Sequence, residues 1–469
     1  MLDRLPPILL RVLRETPELT QAYLVGGGVR DSLLGVPGQD FDVEVFGVDY
    51  GSLVSALGRW GRADLVGRSF GVVKLTIDGQ TFDFSLPRLD SKVGPGHTGF
   101  NVQFEPALTP REAAARRDFT INSLMFDPHR GELLDFFGGA ADLKQRVLRH
   151  TSEAFVEDPL RVLRGMQFAG RFDLTGAPET LALCRSIANS YSELALERVR
   201  EEWFKWAAKS TRPSAGLRFL RDSGWLRHFP EAALLVGVPQ DPGWHPEGDV
   251  WTHTLHCLDA LAELPDWQAA DEATRVVVML AVLAHDFAKP ACTHTDMRHG
   301  SLRIVSPGHE AAGGPLTEAF LQRLSVPMAL ADRVPPLVIN HLAHLHDITP
   351  RSVRRLAQRL APATIRELSW VMIADAYGRP PLPRMTLASV NELLAQAAQL
   401  NVQLQAPQAI LLGRHLIERG LSPGPTFKPL LDAAFEAQLD GVFTDIEGAK
   451  AWLDQRLSAT AAATVGSPA

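Results

Sequence analysis

The pattern of apolar and polar positions changes character near residue 150. Ahead of that point short runs alternate with period two, as half-buried strands do, and a few segments keep helical spacing. Beyond it helical spacing dominates. Residues 3–18 set Leu5, Ile8, Leu9, Val12 and Leu13 on one side of a helix. The apolar run Tyr23-Leu24-Val25 leads into Gly26-Gly27-Gly28, then a helix-like segment, Val29–Leu34, then a turn, Gly35-Val36-Pro37-Gly38. Asp40-Phe41-Asp42-Val43-Glu44 follows, acid and apolar in alternation, which puts the acids on one face of a strand. Residues 50–57 read as a helix. Val72–Ile77 and Thr81–Leu86 read as two strands joined at Asp78-Gly79, a strong hairpin signal. Arg88–Pro110, rich in glycine and polar residues, reads as a mobile loop, closed by a helix start with Thr109 as cap and Pro110 at the first position. From 151 onward the elements predicted are helices, including a long one opened by Glu157-Asp158-Pro159, an apolar run at Val276–Ala284 and an Ala-Gln-rich segment at Leu387–Leu400.

Composition narrows the class. The chain has 469 residues, enough for about three domains. Cys184, Cys257 and Cys292 lie far apart with no C-x-x-C spacing, which argues against a disulfide framework and fits a reducing cytoplasm. The N-terminus carries charges throughout and lacks the apolar core of a signal peptide, and no run reaches membrane-spanning length. A formal charge of −7 does not mark a nucleic-acid binder, so a local basic face would have to serve.

The chemistry begins in Leu24–Gly47. Glycines let backbone N–H groups approach a phosphate, and a helix start favours an anion. Carboxylates side by side on a strand suit the divalent metal of phosphoryl transfer. Either feature alone fits an ordinary solvated face. Asp83 is open to two readings, a third site carboxylate or a plain edge-strand acid. Arg116-Arg117-Asp118-Phe119-Thr120-Ile121-Asn122 supplies arginines for phosphates and an asparagine for sugar or backbone. Asp158 before Pro159 reads as a helix cap, which leaves Arg161 unexplained. Farther on, His253, His285-Asp286, His309, His341 and Asp375 form a histidine- and aspartate-rich series. Imidazoles and carboxylates on facing helices suit a transition metal or magnesium, whose bound water attacks a phosphoester.

Taken in order, GG-x-VRD, D-x-D, RRDFTIN, DFFGG, EDPLR and ERVRE resemble the class II tRNA nucleotidyltransferases and bacterial poly(A) polymerases, within the DNA polymerase beta superfamily. The resemblance runs from about residue 20 to about 455. It implies an α+β fold: a polymerase-beta-like head of mixed sheet plus helices, followed by all-α neck, HD and tail regions. The boundaries implied are a head over 1–150, a neck over 151–235, an HD-type domain over 240–380, a tail over 385–456 and a disordered end over 457–469. The activity implied is template-independent addition of CCA, or part of it, to tRNA 3′ ends from CTP and ATP. Asp40 and Asp42 then hold Mg²⁺, with Asp83 as the third carboxylate and Glu44, often apolar in the family, as a neighbour. Gly27, Gly28 and Arg30 cradle phosphates. Arg117, Asp118 and Asn122 contact triphosphate and ribose. Asp158 and Arg161 read the Watson–Crick edge of C or A, Glu157 orients Arg161, and Arg164 meets a phosphate. Glu197 and Arg198 brace the neck, or else belong to a charged helix face. The series His253, His285, Asp286 and Asp375 resembles the HD phosphohydrolases, with Ni²⁺, Mn²⁺ or another divalent ion. Ala288 stands where that superfamily usually has glycine. A glycine-proline turn in Leu411–Pro425, and Arg351, Arg354, Arg355 and Arg359 at helical spacing, are candidate tRNA contacts or plain surface helix. A-only or CC-only addition, and poly(A) synthesis, fit the same head. A different class, a metal phosphohydrolase or RNA-binding protein with an inactive head, is opposed by the intact D-x-D and RRDFTIN. Oligomeric state is left open.

Overall fold

The computed structural model describes residues 5–36, 41–66, 71–92, 100–104 and 107–465. It divides into two compact units, Met1–Pro230 and Glu231–Ala469.

The first unit begins with α1 (Pro7–Glu15), β1 (Ala22–Val25), α2 (Gly27–Leu33), β2 (Asp42–Val45), α3 (Tyr50–Gly58), β3 (Arg62–Val66), β4 (Val72–Ile77) and β5 (Gln80–Ser85). β6 (Arg88–Lys92), β7 (Phe100–Phe104), α4 (Pro110–Ala115), β8 (Met125–Asp127), β9 (Glu132–Leu134) and α5 (Gly139–Gln145) follow. Seven strands form a mixed sheet in the order β3-β4-β5-β2-β1-β8-β9, with β2 and β5 parallel. Leu9, Val12 and Leu13 of α1 pack with Val43, Val45, Val73 and Phe84, all fully buried. Alternation along β2 and β5 therefore points the apolar residues into that core and the acids out of it. The β4–β5 turn is tight because Asp78 and Gly79 both take positive φ, 49° and 78°. The opening helix starts later than its apolar spacing suggests: Pro7 occupies its first turn, where the missing N–H is harmless. Two strands form inside the segment read as a mobile loop: β6 pairs antiparallel with β7.

The unit closes with four helices around tryptophans. These are α6 (Leu160–Phe172), α7 (Pro178–Ser186), α8 (Leu196–Lys209) and α9 (Pro213–Asp222). Trp203 and Trp206 of α8 are fully buried, and the Trp206 indole donates to Pro213 O at 3.1 Å. Gly165 lets α6 approach the Phe219 ring, where a Cβ would come within 2.6 Å. The expectation that strands end at 150 is corrected twice. β10 (Val147–Leu148) pairs in parallel with β11 (Thr175–Gly176). In the second unit β12 (His294–Arg298) and β13 (Ser301–Val305) form a hairpin whose turn residues, His299 and Gly300, have φ of 51° and 77°.

Helices Val250–Ala262, Glu272–Ala284, His309–Arg323 and Ile365–Tyr377 dominate the second unit. Asp249 and Asp271 cap the first two by accepting from Thr252 and Thr274 N–H, both at 2.9 Å, so each helix starts at a fixed residue. Farther along, Pro350–Leu360 packs against Phe427–Asp440. The last helix, Ile446–Val465, extends through the residues from 457 that were expected to be disordered, as far as Val465. The four arginines at helical spacing are committed to protein partners. Arg351 and Arg355 bind Asp440 at 2.8 and 2.6 Å, Arg354 donates to Leu439 O at 2.9 Å, and Arg359 reaches Asn340 at 3.4 Å.

Candidate active site and metal centre

The sheet turns its polar edge toward a cavity of about 700 Å³ in the first unit. β2 and β5 run parallel in a register that sets Asp42 beside Asp83 and Glu44 beside Ser85. Asp42 is exposed at the cavity wall. Asp83 accepts from Lys74 Nζ at 3.0 Å across the β4–β5 ladder. Glu44 is buried and held by Arg117 Nη2 at 3.2 Å. It is thus the partner of a RRDFTIN arginine, which the spacing along β2 did not reveal. Asp40 lies outside the described residues.

The glycine turn stands at the same wall. Gly26 has φ of 68°, where a side chain would be strained and would crowd Arg117. Gly26 and Gly27 line the cavity, whereas Gly28, within α2, does not. Arg30 points inward from α2 and is buried. Its Nη1 donates to Asn122 Oδ1 at 2.5 Å, its Nε to Asp31 at 2.8 Å, and its guanidinium stacks 4.3 Å from the Phe172 ring centroid. Asn122 in turn donates to Asp118 Oδ1 at 2.9 Å, and Arg164 Nε donates to Asp118 Oδ2 at 2.7 Å. Glycine turn, RRDFTIN and α6 are thereby joined through one buried carboxylate. Burial alone would raise the Asp118 pKa, but the Arg164 charge and hydrogen bonds from Asn122 and the Phe119 N–H hold it below the ordinary carboxylate value. Arg164 responds in kind: burial opposes its charge, and Asp118 lifts its pKa above the ordinary value.

Asp158 and Arg161 stand at the start of α6, both lining the cavity. Asp158 Oδ1 accepts from Leu160 N–H at 3.1 Å, and Oδ2 accepts from Arg198 Nη2 at 2.9 Å. Pro159 takes the cap position of α6, contrary to the expected Asp158, and the Leu160 hydrogen bond and the Arg198 ion pair fix both Asp158 oxygens. Arg161 donates to Ala154 O at 2.7 Å and Arg116 O at 2.8 Å, which locks its guanidinium plane. Two further expectations change here. Glu157 pairs with Arg116 at 3.6 Å rather than with Arg161, whose orientation comes from backbone carbonyls. Glu197 is exposed in the first turn of α8 and does not line the cavity, while Arg198 does. Phe168 and Phe172, one helical turn apart on α6, carry the stacking on Arg30, Arg164 and Arg171. Their spacing in the sequence was visible, but it reads equally as core.

In the second unit, helices Val250–Ala262, His309–Arg323 and Ile365–Tyr377 and the turns that follow Ala284 and Ile339 bring the histidine series together. His253 Nε2 lies 3.1 Å from Asp375 Oδ1, 3.4 Å from His285 Nε2 and 3.8 Å from Asp286 Oδ2. His309 and His341 join Asp286 in a second potential ligand group. All six side chains are buried. His285, His309 and His341 each place Nδ1 within 2.7 Å of a backbone carbonyl three residues earlier, which leaves Nε2 to face the cluster. Burial, with the neighbouring His285, pushes His341 down to about 3. Asp286 lies 2.8 Å from Lys289 Nζ and 3.2 Å from His285 Nε2, yet neither of its oxygens has a hydrogen bond of good geometry. Two groups escaped the sequence reading: Cys257, within 3.3 Å of His253 Nε2, and Glu247, within 2.8 Å of both His245 and His253. Burial opposes the Glu247 charge, but hydrogen bonds from those two histidines bring its pKa down to about 2. Ala288 has φ of −90° and ψ of −7°, ordinary right-handed backbone that requires no glycine.

A mixed sheet with a glycine turn, strand-borne acids and an arginine-lined cavity defines a nucleotidyltransferase head. Residues 22–149 match the family model for the poly A polymerase head domain. Similar curated proteins are the multifunctional CCA proteins of Xanthomonas campestris and Nitrosococcus oceani. The first is 37% identical over 82% of this chain and 94% of its own length, the second 34% over 91% and 99%. Among solved structures, the Bacillus stearothermophilus CCA-adding enzyme in complex with CTP superposes with a TM-score of 0.64. It is 21% identical over 97% of this chain and 99% of that one. The Thermotoga maritima CCA-adding enzyme complexed with tRNA gives 0.58 at 19% identity, with 97% of both chains covered. The chain belongs to the class II tRNA nucleotidyltransferases, the CCA-adding enzyme family. Nucleotidyltransferases of this family use a divalent metal, generally Mg²⁺. Among the described residues no helix is long and apolar enough to cross a membrane.

Proposed function

We propose that this chain builds the whole CCA end on tRNA in the cytoplasm, taking CTP and then ATP into one cavity without a template. The observation that carries this reading is that the acid pair of β2 and β5 shares a cavity with the fixed Asp158–Arg161 pair of α6. Hard carboxylate oxygens at Asp42 and Asp83 fit Mg²⁺, with Asp40 completing the set. When bound, the ion supplies positive charge for the RNA 3′-hydroxyl and the departing pyrophosphate. The protein's own groups do the rest. The glycine turn admits the triphosphate, and Arg117 meets it. Asp118 orients Asn122 toward the ribose. Asp158 accepts from the exocyclic amine that cytosine and adenine share, and Arg161 donates to the adjoining ring nitrogen or carbonyl. Uracil and guanine offer the wrong pattern and leave these groups unpaired. Replacing Asp42 by Ala is expected to abolish incorporation of labelled CTP and ATP while far-UV circular dichroism stays unchanged. Retained incorporation in a folded Asp42→Ala protein would falsify the site.

A second activity is supported by the buried cluster of the second unit. His253, His285, Asp286 and Asp375 would hold a divalent metal such as Ni²⁺ or Mn²⁺, for which their buried imidazole and carboxylate donors are suited. The chemistry supplied is hydrolysis of a phosphoester. Release of phosphate from a 2′-phosphate, or opening of a 2′,3′-cyclic nucleotide to its phosphomonoester, lost on chelation and on Asp286→Asn, is the expected result. Equal release by the Asp286→Asn protein would remove the assignment.

A further inference from the structure

We propose that Lys74 is a positioning residue of the first unit: it ties down one oxygen of Asp83 and leaves the other to the side of the cavity where Asp42 stands. This rests on the reading of Asp83 as a site carboxylate. The register of the sheet sets Asp64, Lys74, Asp83 and Asp42 side by side on β3, β4, β5 and β2. Their strand neighbours Val73, Leu75, Phe82, Phe84 and Val43 are buried, so the polar face carries the row of charges. The row reads acid, base, acid, acid. Lys74 has a carboxylate on either side and takes Asp83, its Nζ donating to Oδ2 at 3.0 Å. Asp64 is held instead by Arg62 of its own strand, at 2.8 Å. Asp83 lines the cavity and Lys74 does not, so the ammonium grips the carboxylate from outside the cavity.

Stability alone does not account for this choice. Lys74 and Asp83 are both partly exposed, and a cross-strand ion pair so exposed contributes little to the fold. Pairing with Asp64 would contribute as much. What the Asp83 pairing adds is geometry. An aspartate on the open face of a strand samples several rotamers, and a lysine held across the ladder removes that freedom. A positive charge so near Asp83 also opposes the ion that Asp42 and Asp83 would hold. Lys74 therefore favours geometry over affinity, and its removal separates the two effects.

The test uses the full-length protein stripped with a chelator. Addition of a single C is followed at saturating Mg²⁺, and Mn²⁺ binding is followed separately by electron paramagnetic resonance. Mn²⁺ held by the head is the class that Asp42→Ala loses; ions bound by the second unit are common to both proteins and subtract. Lys74→Met, which keeps the stem of the side chain, is expected to lower kcat about tenfold with KM for CTP within about twofold. Its head affinity for Mn²⁺ should be unchanged or up to about fivefold tighter, since a repelling charge has gone. In an Asp83→Asn background Lys74→Met should lower kcat by less than about twofold more, because the two residues act as one. Wild-type kcat in Lys74→Met, weaker Mn²⁺ binding, or an undiminished loss in the Asp83→Asn background would overturn the role of Lys74. Wild-type kcat in Asp83→Asn, or Mn²⁺ binding that Asp42→Ala leaves intact, would instead overturn the site reading and Lys74 with it. Lys74→Gln is read in the same way should Lys74→Met fail to fold.

Discussion

At the scale of single residues, Asp118 joins the RRDFTIN segment to α6 within the first unit. Its carboxylate holds Asn122 and Arg164, and Asn122 holds Arg30. Because its folded pKa is depressed, Asp118 contributes its full stabilisation above the unfolded value of about 4 and loses it as pH falls through the folded value. Asp118→Asn is therefore expected to lower the urea-unfolding free energy by about 2–3 kcal/mol at pH 7. That is less than a fully buried pair gives, since the Arg164 side chain keeps 35% of its surface exposed. Measured at pH 3, the gap from wild type should narrow. An equal gap at both pH values would mean that charge on Asp118 is not what the fold uses. In the proposed mechanism Arg198 acts one step behind Asp158, to which it donates at 2.9 Å. Freed of Arg198, Asp158 can turn away from the cavity, so Arg198→Ala should raise UTP incorporation relative to CTP by about tenfold, read in single-nucleotide addition assays. Unchanged selectivity would separate Arg198 from base choice.

At the scale of elements, what the pattern foretold and what it missed have separate physical causes. Local chemistry was legible. Asp78-Gly79 announced the β4–β5 hairpin, Thr109-Pro110 announced the start of α4 with Thr109 as its cap, and strand alternation put Asp42 and Asp83 on the polar face. Long-range pairing was not. β8 and β9 are three residues each and gain their strand character from pairing, β8 with β1 and β9 with β8, so no period shows in so short a run. The His299-Gly300 turn hid a hairpin because His-Gly is not among the dipeptides that usually signal one. The partner of an arginine was also invisible: spacing gave a stripe on Pro350–Leu360, whereas two of its members clasp Asp440 from the facing helix. Asp440→Ala should accordingly cost under about 1 kcal/mol, as exposed networks do, and leave tRNA affinity in filter binding unchanged. A marked change in affinity would restore those arginines to the RNA. Gly139 carries a sharper demand. A Cβ there would strike the Thr120 carbonyl, where α5 packs under RRDFTIN. Gly139→Ala should destabilise the first unit by about 1–3 kcal/mol in denaturant melts, through overpacking against backbone that cannot move aside. Wild-type stability in that variant would show that the two segments are free to part.

At the scale of the whole chain, chemistry is divided between two compact units. The first collects carboxylates, glycines and arginines around one open cavity, and the second buries histidines, aspartates and a cysteine. If the proposed ion binds the second unit, its removal by a chelator should lower the melting temperature of only one of two calorimetric transitions, that of the second unit, because an ion that binds only the folded cluster stabilises it by mass action. A uniform shift of both transitions would argue against that division. The head motifs and the proposed Asp158–Arg161 pair were readable in the sequence because each lies in a short stretch of chain. The cluster was readable only in outline, because Cys257 and Glu247 enter it through helix packing. The central claim is that one cavity adds C, C and A in turn. Wild-type protein offered tRNA ending before CCA, after C and after CC, each with labelled CTP and ATP, tests it most directly. The account predicts growth by three, two and one nucleotides, ending in A. Extension of the CC substrate alone, or a long tail of A, would contradict it.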